Sequence, residues 1–250
     1  MDPRHRSVIK AEFDRSAATF AERTKGRFDD MNVVLFSRVR PGATVVEVGS
    51  GTGNFLALFE EVAAHLVGVD VTEAMLRTAQ RSFPQMSLVL GDGGRMPLAS
   101  RSADLVSCAQ MLHHVPEPLP LIKEMARVCA PEGHALILDQ AATERYEEIA
   151  FMNQLEVIRD PSHAMSRPPS ALRILVRRAG LEIVDERIVD SEQRMSTWMA
   201  PGEFPQERFE QVEAFIEEFG HETGMSFERD GNDWVFNRRR MMILAARSSR

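Results

Sequence analysis

The chain has 250 residues, of which 44% are hydrophobic, and a formal net charge of -7 at pH 7. Its length suffices for one sizeable core and lies near the upper end for a single domain. The acidic balance argues against a surface that neutralises polyphosphate, so we expect no nucleic-acid partner. The two cysteines, Cys108 and Cys129, have neither disulfide-framework nor metal-ligand spacing. The start "MDPRHRSVIK" lacks an apolar signal core, and no apolar run approaches the roughly 20 residues that cross a bilayer. We therefore expect a cytoplasmic protein.

The first half of the chain alternates between predicted strands and predicted helices. The predicted elements are helical residues 7–38, strand "TVVEV", helix "NFLALFEEVAAH", strand "LVGVD", helix "TEAMLRTAQRSF" with Thr72 as N-cap, strand "MSLVLGD", strand "ADLVSCAQ", helix "PLPLIKEMARVCAP" and strand "HALILD". Strands that alternate with helices at these lengths predict a doubly wound, mostly parallel α/β sheet.

The alternation weakens after Asp139. Residues 141–180 predict one or two helices interrupted by "RDPSHAMSRPPS", and they are followed by strand "LEIVDERIV", acidic helix "PQERFEQVEAFIEEFG" and a last strand in "WVFNRRRMMILAAR". We interpret residues 1–250 as one domain with four parts: a helical cap at 1–40, a cofactor-binding core at 41–140, a lid at 141–180, and the last strands with an inserted helix at 181–250.

The stretch "VVEVGSGTGNF" places three glycines, Gly49, Gly51 and Gly53, between a predicted strand and a predicted helix. Glycines there permit a sharp turn and close approach of the backbone to a ligand, although a plain strand-to-helix turn has the same pattern. Asp70 and Asp92 close the next two strands, at the edge where open α/β sheets bind ligands. Either acid alone is compatible with a solvated turn. The three strand ends together predict a nucleoside site, with Asp70 at the ribose and Asp92 at the adenine.

Glu47 distinguishes between nucleoside cofactors. A dinucleotide fold has G-x-G-x-x-G and holds a pyrophosphate at a helix N-terminus, whereas this chain has G-x-G-x-G preceded by an acid. A carboxylate beside the pocket disfavours pyrophosphate and favours a cationic ligand. The sequence therefore argues against a dinucleotide.

These segments, with "GVD", "LGDGGRMPLASRSADLVSC" and "AQMLHHVPEPLPLIKEMARVCAPEGHALI", resemble the successive motifs of class I S-adenosylmethionine-dependent methyltransferases. Within that superfamily the chain is most similar to the small-molecule branch around ubiquinone and menaquinone C-methyltransferases. The resemblance covers residues 10–140 and extends more weakly over residues 168–189. It implies a Rossmann-like, seven-stranded sheet with helices on both faces, helical lid elements, and S-adenosylmethionine as cofactor.

The resemblance also implies which residues bind the cofactor. They are Glu47, Gly49, Ser50, Gly51, Gly53, Asp70, Val71, Met75, Asp92, Gly93, Gln110 and Phe20. The loop 49–53 would cradle the methionine part, with Glu47 orienting its ammonium group. Asp70 would bind the ribose hydroxyls, and Asp92 with Gly93 would hold the edge of the adenine.

Four of these residues have further implied roles. Val71 and Met75 would pack near the adenine, and the backbone of Gln110 would touch the methionyl end. Phe20, in the N-terminal segment "SAATF", stands where the family more often has a tyrosine that closes over the cofactor. The missing hydroxyl excludes a hydrogen bond from that side chain.

Histidines supply the candidate catalytic bases. Methyl transfer from a sulfonium is an in-line displacement, so a base is needed only where the acceptor loses a proton. His113 and His114 follow the fourth predicted strand, and His163 lies in "RDPSHAMS". An imidazole suits the proton of a phenol or enol, although packing or capping is the alternative for each. Asp139, at the end of the fifth strand, is compatible with a pocket acid or a solvated turn acid.

Other features bear on the acceptor. Trp198, Met165, Met195 and Met199 are compatible with an apolar acceptor pocket or with ordinary core. We interpret the basic run "NRRR" at 237–240 as a solvated edge. The chain lacks both a "[DN]-P-P-[YF]" segment after the fourth strand and an acid cluster like the magnesium site of catechol-type enzymes, so we predict no metal.

We predict a methyltransferase that transfers a methyl group from S-adenosylmethionine to oxygen or carbon of a small, hydrophobic or aromatic molecule, by in-line displacement without a metal. Methylation of RNA or protein is one alternative. A protein that binds the cofactor without transferring a methyl group is the other. The sequence leaves the acceptor and the oligomeric state open.

Overall fold

The computed structural model describes residues 2–200 and 204–248. A single eight-stranded sheet forms the centre of this part of the chain. Its strands are β1 Ala43–Val48, β2 Ala63–Asp70, β3 Ser87–Leu90, β4 Ala103–Ala109, β5 Cys129–Gln140, β6 Leu181–Arg194, β7 Glu228–Asp230 and β8 Asp233–Arg247.

The strands lie in the order β3-β2-β1-β4-β5-β8-β6, and β7 pairs with β8 outside this series. The pairings among β1 to β5 are parallel, whereas β8 runs antiparallel to both β5 and β6. The doubly wound, mostly parallel fold predicted from the sequence is confirmed. The strand order reverses between β1 and β4, and ligands of open α/β sheets bind at such a point.

The sheet has one strand more than the predicted seven. The short strand β7 forms a hairpin with β8, and its pair Asp230–Asp233 closes the turn. Gly231 in that turn has φ +60, a left-handed conformation that glycine adopts without strain.

The helices of the described chain are α1 Pro3–Arg23, α2 Val33–Ser37, α3 Glu73–Ser82, α4 Leu119–Val128, α5 Tyr146–Arg159, α6 Pro169–Arg178, α7 Met195–Met199 and α8 Gln206–Phe219. The helices α5 and α6 flank the "RDPSHAMSRPPS" segment, as predicted. No helix in residues 2–200 and 204–248 is long and apolar enough to cross a membrane.

The predicted helix "NFLALFEEVAAH" is wrong. A short 3-10 helix covers only Leu56–Phe59, and the last three predicted residues belong to β2. Side chains three apart lie on the same face of a 3-10 helix. Leu56 and Phe59, three apart, are both fully buried in one core cluster, so the tight geometry lets one short turn bury both.

Apolar side chains cover both faces of the sheet. In β1, Val46 and Val48 join the core on one face, whereas Val45 joins the core on the other. This explains the continuous β-branched run, because a parallel strand that is buried on both faces has no polar alternation. A third core lies among α5, α7, α8 and the start of β8.

Candidate functional site

A cavity of about 1010 Å³ lies at the carboxyl ends of the central strands. We call it the first cavity. It is lined by Glu47, Gly49, Ser50, Gly51, Asp70, Val71, Met75, Asp92, Gly93, Gln110 and Phe20. Of the predicted cofactor-binding residues, only Gly53 is missing from the lining. Eleven of the twelve residues predicted to bind the cofactor thus line one cavity.

Gly53 has a packing role in the structure. Its φ is +84, and a Cβ there would lie 3.0 Å from the ring of Phe83 and 3.2 Å from the sulfur of Met86. The residue lets the turn pack closely against the end of α3. The structure does not place it against the cavity.

The loop after β1 is tight at Gly49. Its φ is +70, and a Cβ would lie only 2.7 Å from Met111 Cγ. The amides of Gly49 and Ser50 both donate to the carbonyl of Val69, at 2.7 and 3.2 Å. These hydrogen bonds hold the loop against the end of β2.

Two carboxylates lie close to each other at this loop, the buried Glu47 and the half-buried Asp70. Burial raises the pKa of Glu47 well above its ordinary value, and the nearby Asp70 raises it further. Burial also raises the pKa of Asp70, but Asp70 accepts the amides of Gly51 and Thr72, both at 2.8 Å. Thr72 precedes α3 as predicted, yet its side chain accepts no capping hydrogen bond.

Several buried polar atoms in the first cavity have no hydrogen-bond partner among the described residues. They are Glu47 Oε2, Ser50 Oγ, Gln110 Oε1 and Gln110 Nε2. An unpaired buried polar group costs free energy, so such a group in a native cavity calls for a ligand or ordered water. The set combines hydrogen-bond donors and acceptors beside an acid, which fits the ammonium and carboxylate of a zwitterion.

Gln110 has an additional constraint, because its φ is +52. Residues other than glycine rarely adopt this left-handed backbone conformation, and such strain concentrates at functional sites. The amide of Gln110 donates to the carbonyl of Leu138 at 2.7 Å, which fixes the turn after β4.

Helix α1 covers the first cavity. Ile9, Phe13 and Phe20 from this helix line it, and Phe13 packs edge-on against Phe20 with ring centroids 5.9 Å apart. Arg6 forms an ion pair with Asp92 Oδ2, and the amide of Gly94 donates to Asp92 Oδ1 at 2.8 Å. Arg6 and Phe13 were not predicted, because nothing in the local sequence of α1 indicates what the helix covers.

A second cavity of about 570 Å³ adjoins the first. The two share four lining residues, Phe13, Phe20, Arg27 and Gln110. The remaining residues that line the second cavity are Glu12, Ser16, His113, Arg159, Asp160, Phe204 and Arg238.

The basic residues of the second cavity correct one sequence interpretation. The "NRRR" run is not a solvated edge, because Arg238 and Arg240 are each only 4% exposed. They lie two apart on β8 and therefore share one face of the sheet, whereas Arg239 points to the other face. The basic run is evident in the sequence, but the sequence does not indicate which of its side chains point into the protein.

His113 forms a buried pair with Asp139. Its Nδ1 lies 2.5 Å from Asp139 Oδ1, and its amide donates to Asp139 Oδ2 at 3.0 Å. Burial lowers the pKa of His113 well below its ordinary value and raises the pKa of Asp139 to about 6. We assign the Nδ1 hydrogen to this contact, so that Nε2 is the nitrogen available to the second cavity. Asp139 is buried and not a solvated turn acid.

His114 lines the first cavity beside this pair. Its ring centroid is 4.1 Å from that of His113, and its Nδ1 is 3.0 Å from the hydroxyl of Ser162. The edge of the Phe13 ring packs against it with centroids 5.2 Å apart.

His163 lines neither cavity. It is 4% exposed, its Nε2 lies 2.8 Å from Asn153 Oδ1, and burial lowers its pKa to about 4. Its ring centroid is 5.7 Å from that of His113. The structure therefore places His163 behind the His113–Asp139 pair and not against an acceptor.

The residues expected to form an apolar acceptor pocket lie elsewhere. Trp198, Met195 and Met199 belong to the third core, where Trp198 packs edge-on against Phe236. Met165 is 46% exposed and lines neither cavity. Among residues 2–200 and 204–248, no three His, Cys, Asp or Glu side chains group as metal ligands.

Comparison with known proteins identifies the fold and the cofactor. Residues 46–137 match the family model described as a methyltransferase domain. The chain is 24% identical over 208 residues to the uncharacterized methyltransferase YcgJ of Bacillus subtilis, which covers 81% of this chain and 80% of YcgJ. The crystal structure of YcgJ superposes with a TM-score of 0.80 at 21% identity, over 88% of this chain and 98% of that one.

Two further relatives are similar over a shorter part of the chain. A demethylmenaquinone methyltransferase of Bacillus licheniformis is 29% identical over 137 residues, 52% of this chain and 58% of that protein. A probable S-adenosylmethionine-dependent methyltransferase of Mycolicibacterium smegmatis is 26% identical over 144 residues, 58% of this chain and 54% of that protein. The matched region thus spans just over half the length of these two relatives. Residues 46–137 are thus a methyltransferase domain within a class I methyltransferase fold, and S-adenosylmethionine is its cofactor.

Proposed function

We propose that the protein transfers the methyl group of S-adenosylmethionine to an oxygen or carbon atom of a small molecule bound in the second cavity. The observation that carries this proposal is the junction of the two cavities, where Phe13, Phe20, Arg27 and Gln110 line both. Reactants held in adjoining cavities can meet in the near-attack geometry that methyl transfer requires. Side chains of α1, α5 and β8 enclose the second cavity, which favours a small acceptor over RNA or protein.

The first cavity holds the cofactor in this proposal. Glu47 and Gln110 bind the ammonium and carboxylate of the methionyl part, because both have buried polar atoms without partners. Asp70 binds the ribose hydroxyls. Val71 and Met75 pack on the adenine, whose edge lies by Asp92 and Gly93. Phe20, which lines both cavities, separates the cofactor from solvent.

His113 is the general base where the acceptor loses a proton. When bound, S-adenosylmethionine supplies a methyl group whose bond to sulfur breaks as the bond to the acceptor forms. Asp139 holds the Nδ1 hydrogen of His113, so that Nε2 takes the acceptor proton and later releases it to solvent. The products are S-adenosylhomocysteine and the methylated acceptor. No metal takes part in this scheme.

The other histidines have different roles here. His114 borders the first cavity and shapes the junction. His163 does not contact the acceptor, and it packs behind His113. The predicted lid region contributes Arg159 and Asp160 to the acceptor cavity.

Label transfer tests this function. We expect protein incubated with methyl-labelled S-adenosylmethionine and a fractionated cell extract to label a small-molecule fraction and neither RNA nor protein. Label in a macromolecular fraction would contradict the proposal. Cofactor binding by calorimetry without label in any fraction would favour a protein that binds the cofactor but transfers no methyl group.

A further inference from the structure

The second cavity has a concentration of arginine side chains. Arg27, Arg159 and Arg238 line it. Arg159 pairs with Glu156, whose Oε2 is 2.9 Å from Arg159 Nη2. Within residues 2–200 and 204–248, neither Arg27 nor Arg238 has a carboxylate oxygen within 4.0 Å. Two of the three guanidinium groups therefore have no counter-ion.

The buried guanidinium group of Arg238 costs folding free energy when no ligand is bound. The residue is 4% exposed, and within the described residues its guanidinium donates one hydrogen bond, from Nη2 to Gln140 Oε1 at 2.5 Å. Its Nε has no acceptor among the described residues. Burial lowers the pKa of Arg238 to about 9, and burial with the nearby Arg240 and Arg159 lowers that of Arg27 to about 10. A buried charge of this kind is normally paired.

The acids that line the same cavity are already engaged. Glu12 pairs with Arg15 and, at 3.7 Å, with Arg208. Asp160 accepts the hydroxyl and the amide of Ser162 at 2.6 and 2.9 Å. Behind the lining, Glu156 pairs with Arg159 through Oε2, and its charge also acts on Arg238 from more than 4.0 Å away. No acid on the cavity wall thus compensates Arg27 and Arg238.

We propose that the methyl acceptor carries an anionic group, a carboxylate or a phosphate ester, which binds between Arg27 and Arg238 with Arg159 beside it. The planar guanidinium fork matches the oxygens of either group. Three phenylalanines of the same cavity, Phe13, Phe20 and Phe204, contact the apolar remainder of the acceptor. This inference rests on the proposed function, in which the second cavity is the acceptor site.

Three probes that share a 4-fluorophenyl ring test the charge requirement. They are 4-fluorobenzoate, 4-fluorophenyl phosphate and the neutral 4-fluorobenzamide, each titrated by fluorine NMR into protein saturated with S-adenosylhomocysteine. We expect at least one charged probe to bind roughly tenfold or more tightly than the amide, which corresponds to one charged hydrogen bond. The tighter of the two charged probes identifies a carboxylate or a phosphate as the group. Equal binding of the amide, or no binding of either charged probe, would overturn the proposal.

Variants of the arginines locate the site. Arg238→Gln should weaken binding of the charged probe roughly tenfold or more, while Arg238→Lys, which keeps the charge, should retain part of the affinity. Arg27→Gln is the second variant. It changes a residue outside β8, so its result does not depend on whether a substitution in β8 disturbs the sheet. Arg239→Gln is the matched control, since Arg239 pairs with Asp190 on the other face of β8.

Each variant is first checked for a native circular dichroism spectrum. Arg238→Gln is also checked for unchanged affinity for S-adenosylhomocysteine, since Arg238 does not line the first cavity. Undiminished probe binding in both Arg27→Gln and Arg238→Gln would overturn the proposal. The assay does not depend on methyl transfer. If the charged probes bind as expected and no small-molecule fraction accepts a methyl group, the anion site stands and the proposed function fails.

Discussion

Asp70 and Glu47 lie in the same cavity but differ in what they already contact. Asp70 accepts two backbone amides, whereas one oxygen of Glu47 has no partner among the described residues. Asp70 is therefore held in a fixed orientation towards the cavity. This suits the recognition of ribose hydroxyls, which demands a fixed acceptor.

Asp70→Ala should weaken S-adenosylhomocysteine binding by about 1.5–3 kcal/mol, because it removes hydrogen bonds to a charged group. Isothermal titration calorimetry measures the change. Asp185→Ala is the control, since Asp185 contacts Arg38 on the surface at 3.2 Å. Unchanged affinity in Asp70→Ala would rule out its role at the ribose.

The His113–Asp139 pair predicts how activity depends on pH. At neutral pH His113 is unprotonated, because burial lowers its pKa, and the pair takes up a proton only as the pH falls towards the pKa of Asp139, about 6. We expect kcat/KM to be level above neutrality and to fall below about pH 6, as one titration of the coupled pair. An apparent pKa of 7 or higher would contradict this assignment.

His113→Gln tests the same base by substitution. It should lower kcat by about a hundredfold or more, the usual contribution of a general base, with unchanged affinity for S-adenosylhomocysteine. His65→Ala, at an exposed position of β2, is the control. An unaltered kcat in His113→Gln would exclude His113 as the base.

At the scale of elements, helix α1 is held over the cofactor cavity by few polar contacts. Asn54, just after the glycine loop, donates to the carbonyl of Ala21 at 2.7 Å and to the hydroxyl of Thr24 at 2.9 Å. At the other end of the helix, Arg6 pairs with Asp92. Polar contacts thus connect both ends of α1 to the loops that line the first cavity.

Asn54→Ala should loosen the C-terminal end of α1. We expect faster amide hydrogen exchange in residues 15–24 and weaker cofactor binding by about 1–2 kcal/mol, since two hydrogen bonds are lost. Hydrogen exchange with mass spectrometry, with and without S-adenosylhomocysteine, measures both effects. Asn232→Ala in the β7–β8 turn is the control, and equal exchange in the two variants would contradict the role of Asn54.

The elements also show which features the sequence could predict. Strands β1, β4 and β5 were predictable because burial on both faces leaves a local apolar run, as at Val45 and Val46. Most of the proposed cofactor residues were predictable because they lie at or just after strand ends at one sheet edge, whereas Phe20 lies on α1. The arginines of the second cavity were not, since the inward direction of Arg238 depends on the pairing of β8 with β5 and β6. Pairing between strands that lie far apart in the chain leaves no local pattern.

At the scale of the whole molecule, the two cavities have opposite electrostatic character. The first contains the acids Glu47 and Asp70, whereas the second contains Arg159 and Arg238 and shares Arg27 with the first. The chain as a whole is acidic, so its net charge of -7 conceals a local excess of positive charge. A cationic cofactor would bind in the first cavity, and an anionic acceptor would bind in the second. The two reactants would then meet at the junction of the cavities.

We expect the carboxylate of Glu47 to lower the stability of the unliganded protein and to strengthen cofactor binding. Because burial raises the pKa of Glu47 in the folded chain, folding takes up a proton, and raising the pH from its ordinary value of 4.5 through the raised value costs stability. Glu47→Gln removes this cost and keeps an acceptor for the amide of Leu56. It should therefore stabilise the unliganded protein by about 1–3 kcal/mol at pH 7, and by less at pH 4.5.

The same substitution should weaken cofactor binding. We expect S-adenosylmethionine to raise the melting temperature of the wild-type protein more than that of Glu47→Gln, since binding to the folded state stabilises in proportion to affinity. Thermal unfolding at pH 4.5 and pH 7, with and without S-adenosylmethionine, measures both effects. Glu61→Gln, at an exposed position near β2, should change neither. If Glu47→Gln were less stable than wild type at pH 7 and bound the cofactor equally well, Glu47 would be a structural acid and not the partner of the cofactor ammonium.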